Sequence, residues 1–212
     1  MTDLKFLKIH CYISSHLEII IKSIQIPQFK SLCTIKLSFP SSFVQAVATD
    51  ASGHTFEFWQ ATAEGGPDFY PLRHLGAEVT TLRLDGGVTL DQLSVQPGLG
   101  DFLRSLDAVR ILEFDGTIDF DQNIIIFIPG VFPGLKVIRV EIGLDDCEEV
   151  MKHVAAAARL RMEEGNPLAV IEPFSAEGLG KCAGGEGGLS QELRAEWEKR
   201  YEAEGVQKFL SG

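Results

Sequence analysis

The chain has 212 residues, 45% of them hydrophobic and 23% charged, with a formal net charge of −11, the make-up of a globular protein long enough to bury a real core. An acidic balance argues against nucleic acid as a general partner, because neutralising phosphates needs a basic surface. No helix is expected to span a membrane, since apolar runs stop at a few residues, as in Ile124–Ile128.

The charge is uneven: residues 1–40 hold five Lys against two acids, a net of +3, which leaves −14 for the rest. The four cysteines, Cys11, Cys33, Cys147 and Cys182, form no C-x-x-C pair and read as free thiols. No apolar signal core follows Met1-Thr2-Asp3-Leu4-Lys5, and Asn123 and Asn166 lie in no glycosylation sequon. The expectation is a cytoplasmic or nuclear protein that is not secreted.

Along the chain, one pattern recurs: L-x-x-L-x-L, with any aliphatic residue or Phe at the marked places. The copies are Leu4-x-x-Leu7-x-Ile9, Leu32-x-x-Ile35-x-Leu37, Val79-x-x-Leu82-x-Leu84, Val109-x-x-Leu112-x-Phe114, Leu135-x-x-Ile138-x-Val140 and Leu168-x-x-Ile171-x-Pro173. Their starts are 28, 47, 30, 26 and 33 residues apart. The fourth and sixth places of each copy share one face of a short strand, and the residue between them points the other way. The sixth copy reads as degraded by its proline.

The segments between copies must return the chain. Ser14–Gln25 carries Leu17, Ile20, Ile21 and Ile24 at helical spacing. In the long gap, Phe43–Thr49 and His54–Trp59 are β-rich on either side of Asp50-Ala51-Ser52-Gly53, which predicts a β-hairpin (about 43–59) inserted where a return helix would go. Asp101–Leu106 reads as a short helix. Asn123–Gly134, with Pro129-Gly130 and Pro133-Gly134, reads as irregular or a short turn of helix. Asp146–Glu164 is the clearest helix, with Asp146-x-x-Glu149 as a capping box and Gly165-Asn166-Pro167 as the stop. Residues 177–189 are a Gly-rich loop. Ser190–Glu204 is amphipathic, with Leu193, Trp197 and Tyr201 on one side, and reads either as a cap on the last copy or as a partner-binding helix.

Together these predict an α/β domain over residues 1–176, a leucine-rich-repeat-like solenoid. Short parallel strands would be joined by helical or irregular returns and the inserted hairpin. The Gly-rich loop and a C-terminal helical segment, 190–212, would follow. In such an array the outward strand positions form a concave face. The candidate protein-binding residues there are Lys8, Lys36, Arg83, Glu113 and Arg139, with Glu172 next. The following outward row is His10, Ser38, Asp85, Asp115, Glu141 and Phe174. One reading makes the first row a charged strip, basic in its first half, that suits an acidic stretch on a partner. The other makes it a solvated face whose neighbours neutralise each other, with Glu113 between Arg83 and Arg139.

Several segments carry a family likeness: Phe39-Pro40 with His54-Thr55-Phe56-Glu57-Phe58, Val79–Asp85, Val109–Phe114, Phe132-Pro133-Gly134-Leu135-Lys136-Val137-Ile138, Arg159–Gly165 and Asn166-Pro167-Leu168. Over most of residues 30–175 the chain resembles the leucine-rich-repeat region of fungal F-box proteins. The resemblance implies substrate recognition for a cullin ubiquitin ligase, with a Skp-type adaptor recruited by an F-box. The chain contains no segment readable as an F-box, so adaptor binding is expected only of a longer product.

Catalytic motifs fail on inspection. Gly178-Leu179-Gly180-Lys181-Cys182 lacks the upstream Gly and the Ser or Thr of a phosphate loop, with Ser175 and Cys182 in those places. Asp119-x-Asp121-x-Asn123 begins like a calcium loop but has Ile124 and Gly130 where Gly and Glu are required. The five His have no metal-ligand spacing. The expectation is no enzyme, no cofactor and no metal, but a module binding an unknown protein. The alternatives are a stand-alone scaffold and a truncated fragment, the latter suggested by a first copy that starts at Leu4.

Overall fold

Apolar residues at every second place build the strands, and on Thr81–Asp85, Ile111–Asp115 and Val137–Glu141 one face is sealed. The structure is a computed structural model that describes residues 6–11, 19, 32–38, 43–50, 55–61, 79–85, 98–115, 130–142, 147–174 and 190–211. The expected helix Ser14–Gln25, apart from Ile19, and the segments around Asp119–Asn123 and 177–189 lie outside the described residues.

The fold is mixed α/β. Eight strands, β1 (Phe6–Cys11), β2 (Leu32–Ser38), β3 (Phe43–Asp50), β4 (Thr55–Ala61), β5 (Thr81–Asp85), β6 (Ile111–Asp115), β7 (Val137–Glu141) and β8 (Val170–Phe174), form one sheet in the order β1-β4-β3-β2-β5-β6-β7-β8. From β2 through β5 to β8 neighbouring strands run parallel. Among the described residues the helices are α1 (Leu99–Arg104), α2 (Cys147–Glu163) and α3 (Gln191–Ala203), with Ile19 also helical.

The hairpin is present in the gap between the second and third copies, with β3 antiparallel to both β2 and β4. It enters the sheet between the first two repeat copies, so β1 lies beside β4 and not beside β2. The reason is hydrogen bonding: two extended strands carry open backbone edges, and joining the sheet satisfies them.

The repeat places stack in columns. Val79, Val109, Leu135 and Leu168 are fully buried, as are Leu82, Leu112 and Ile138 beside Ile171, and Leu84, Phe114 and Val140. Each such side chain contributes roughly 1.5–3 kcal/mol of transfer free energy. They merge into one core with Leu99, Phe102 and Leu103 of α1 and with Val150, Met151, Val154, Ala157 and Ala158 of α2. From β5 to β8 the sheet thus packs one face against helices.

The sixth copy forms its strand in spite of Pro173, which is half-buried where the third to fifth copies place a buried apolar residue. Val170 N donates to Lys136 O at 3.2 Å, and Phe174 O accepts from Ile142 N at 3.2 Å. Alternation along a parallel strand then aims the backbone of Pro173 away from β7, so its missing N–H removes no bond to β7.

Helix α2 ends on Gly165, whose φ of 78° is left-handed, and Asn166 N donates to Arg161 O at 2.8 Å. This six-to-one closure satisfies an orphan carbonyl. Arg161, in the last turn, is buried and points into the protein. Its Nη1 donates to Val131 O at 3.1 Å, its Nη2 to Phe132 O at 2.7 Å and its Nε to Asn166 O at 3.4 Å. Phe132 has a φ of 51°, a conformation that costs energy for a bulky residue. The guanidinium therefore clamps the strained turn before β7 to the end of α2. Residues 130–134 are a turn, as expected for the end of Asn123–Gly134.

Helix α3 begins with Ser190, whose Oγ accepts from Leu193 N at 3.2 Å. Leu193 and Trp197 are buried in the common core. Arg200 of α3 pairs with Glu148 of α2 at 3.0 Å and with Glu196 at 2.8 Å. Beyond the 3-10 turn Val206–Phe209, Leu210 makes a parallel bridge to Leu168, and Ser211 N donates to Leu168 O at 2.8 Å. The chain thus returns to the first place of the sixth copy.

Candidate functional site

The face of the sheet opposite the helices is organised by register. One row of Cα partners crosses all eight strands: Lys8, Glu57, Val47, Lys36, Arg83, Glu113, Arg139 and Glu172. All five candidate residues, Lys8, Lys36, Arg83, Glu113 and Arg139, stand in it. Their expected contiguity does not hold, because Glu57 and Val47 of the hairpin separate Lys8 from Lys36. The side chain of Lys36 lies outside the described residues.

The row is an ion-pair ladder. Lys8 Nζ donates to Glu57 Oε1 at 3.0 Å, and Gln45 Nε2 donates to the same oxygen at 2.9 Å. Arg83 Nε pairs with Glu113 Oε2. Arg139 Nη1 donates to Glu113 Oε1 at 2.7 Å, and Arg139 Nε donates to Glu172 Oε2 at 2.7 Å. These bonds raise the Arg139 pKa further, first through Glu172 and then Glu113, so it is charged at any working pH.

Exposure divides the charges unequally. The side chain of Arg83 is 50% exposed and that of Arg139 is 38%, while Glu113 between them is 9%. Lys8 at 38% likewise covers Glu57 at 12%. Glu113 is therefore not a presenting residue; it lies beneath two arginines and holds them in place. Only Glu172, at 44%, shows an exposed carboxylate in this row. Among the described residues the two terminal nitrogens of Arg83 and Nη2 of Arg139 have no protein acceptor.

Beside the ladder runs a second row, two residues earlier on each parallel strand: Phe6, Thr55, Thr49, Thr34, Thr81, Ile111, Val137 and Val170. Period two places it on the outward face, although the repeat pattern itself marks only the inward places. Thr81, Ile111, Val137 and Val170 are half-buried, and Phe6 is exposed. On the other side Asp85 and Asp115 are register partners, as are Glu141 and Phe174.

Among the described residues no group of His, Cys, Asp and Glu is arranged to hold a metal ion. No helix there is long and apolar enough to cross a membrane. Cys147 is a free, buried thiol whose pKa is pushed up by burial and then by Glu196. No family model, curated protein or solved structure matches the chain.

Proposed function

We propose that the chain is a non-catalytic interaction module, a leucine-rich-repeat-like solenoid that binds another protein on its outward sheet face. The carrying observation is the ladder, in which Arg83 and Arg139 stand over the buried Glu113, and Lys8 over the half-buried Glu57, beside half-buried β-branched residues. Such a surface is pre-organised, since its side chains are fixed before a partner arrives. The resemblance to the repeats of F-box proteins supports a narrower form: substrate recognition for a cullin ubiquitin ligase. A Skp-type adaptor belongs to that form only through a longer product bearing an F-box. No cofactor enters the proposal.

One observation favours a second reading, in which the row is only a structural tie: Glu113 is saturated by Arg83 and Arg139. Affinity capture followed by mass spectrometry separates the two. The wild type is compared with Lys36→Gln, Arg83→Gln and Arg139→Gln combined; Gln avoids adding carboxylates beside Glu113. A protein captured by the wild type and lost by a folded variant supports the interaction module. Identical capture, or none, supports the structural tie.

A further inference from the structure

We infer that the outward face takes an amphipathic helix laid across β5 to β8, with acidic residues seven apart over Arg83 and Arg139. This rests on the interaction-module reading and names the class of partner. Strands in a sheet are about 4.8 Å apart, so Arg83 and Arg139, two strands apart, are about 10 Å apart along the row. Residues i and i+7 of a helix share a face and are about 10.5 Å apart along the axis. Glu172, one strand further at about 14 Å, suits a basic residue at about i+11.

The second row fixes the rest. Ile111, Val137 and Val170 lie two residues from the ladder along their strands, about 6.6 Å to one side. A helix about 10 Å across covers both rows. With acids at i and i+7, residues i+1, i+4 and i+8 lie about 40–100° round the same side and meet the apolar row. An extended strand places same-face residues about 6.7 Å apart and matches neither arginine spacing. A polyproline segment repeats about every 9.3 Å and fits the arginines, but it is too thin to cover the apolar row as well.

The donors needed are at hand. Arg83 has two terminal nitrogens and Arg139 one that point to no carboxylate or carbonyl among the described residues. Guanidinium bonds to carboxylates are short and directional, so each arginine reads position as well as charge.

The test is fluorescence anisotropy with defined probes. A lactam-stapled helical peptide carries Glu at i and i+7, Lys at i+11 and Leu at i+1, i+4 and i+8. A second peptide moves the second Glu to i+5, and a proline-rich peptide carries Glu every third residue. Each is titrated with the whole chain and with Arg83→Gln and Arg139→Gln, whose folding is checked by circular dichroism. The stapled peptide should bind, weaken about tenfold with either Gln variant or with the moved Glu, and weaken with salt. Equal binding of the moved-Glu peptide, or equal binding by the variants, overturns the inference. Binding of the proline-rich peptide alone, lost in the variants, overturns the helix and keeps the face as a binding surface. Binding of neither overturns the helix, and the capture experiment then decides the face by itself.

Discussion

Glu113 and Arg139 face each other across β6 and β7, and Arg139 Nη1 donates to Glu113 Oε1 at 2.7 Å while Arg83 holds the other oxygen. One nearly buried carboxylate thus serves two half-exposed arginines. Replacing it by Glu113→Gln leaves two cations without their shared anion. The expected loss is about 1–2 kcal/mol, below the cost in a fully buried site because both arginines reach solvent. Urea unfolding measures it, and a double-mutant cycle with Arg139→Gln should show positive coupling. Additive losses would mean that the two side chains do not interact in solution.

Arg161 is expected to matter more than any charge of the ladder. Arg161→Met removes the donor to the Val131 carbonyl and one of the two donors to the Phe132 carbonyl, which keeps Leu135 N, at a cost of about 2–3 kcal/mol. Arg161→Lys restores one donor geometry at best, so it should recover less than half of the loss. Denaturant midpoints of the two variants check the order.

The docking of α3 on α2 carries an acid dependence of definite sign. Glu148 is held below the ordinary carboxylate range by Lys152 and then Arg200, and Glu196 by Arg200 first. A carboxyl whose folded pKa is depressed adds stability above its unfolded pKa, and that stability is lost as pH falls through the folded value. Trp197 fluorescence, in a Trp59→Phe background, should therefore change as pH is lowered through and below the usual carboxylate range. The change should shrink in Arg200→Gln. A pH response that Arg200→Gln leaves untouched would assign the acid sensitivity elsewhere.

Cys147 should be inert to alkylation in the native chain, because it is buried and its pKa is raised. Trp197→Ala opens the core beneath α3 and costs about 3–5 kcal/mol. Mass spectrometry after iodoacetamide should then show faster labelling of Cys147. An unchanged rate would mean that α3 does not shield it.

The two glycines near β7 should respond differently to alanine. A Cβ on Gly134 meets Arg110 Nη1 at 1.6 Å, but that is the end of an exposed, flexible side chain that can swing away. Gly134→Ala should be nearly neutral. Gly165 has open space around it, yet its φ is +78°, so Gly165→Ala should cost about 1 kcal/mol or more. Thermal melts of the two variants should separate them, Gly165→Ala melting lower.

What the sequence made legible was local and periodic. The repeat pattern located the cores of β5 to β8, because Leu82, Leu112 and Ile138 each recur at the same place in a buried column. The helices over Cys147–Glu163 and Gln191–Ala203 followed from their apolar spacing and from Ser190 and Gly165. Strand order was not legible: nothing local says that the hairpin joins the sheet, so Lys8 was placed beside Lys36 when Glu57 is its neighbour. The effect of Pro173 was not legible for a related reason, since a proline's cost depends on which side of the strand its backbone faces. Neither could burial of Glu113 be read from its own surroundings. It follows from arginines on two other strands, 30 and 26 residues away in sequence. Arg161 escaped notice because a charged residue near a helix end looks exposed until the turn at Val131 and Phe132 is placed against it.

Binding of a protein on the charged, β-branched face of the sheet remains the proposal from which the rest follows. Site-specific photo-crosslinking tests it most directly, with a benzophenone side chain placed at Val137 on that face or at Lys152 on the exposed side of α2. One defined adduct is expected from Val137, abolished when Arg83 and Arg139 are both changed to Gln, and no matching adduct from Lys152. Adducts from Lys152 alone, or Val137 adducts indifferent to the arginines, would contradict the proposal.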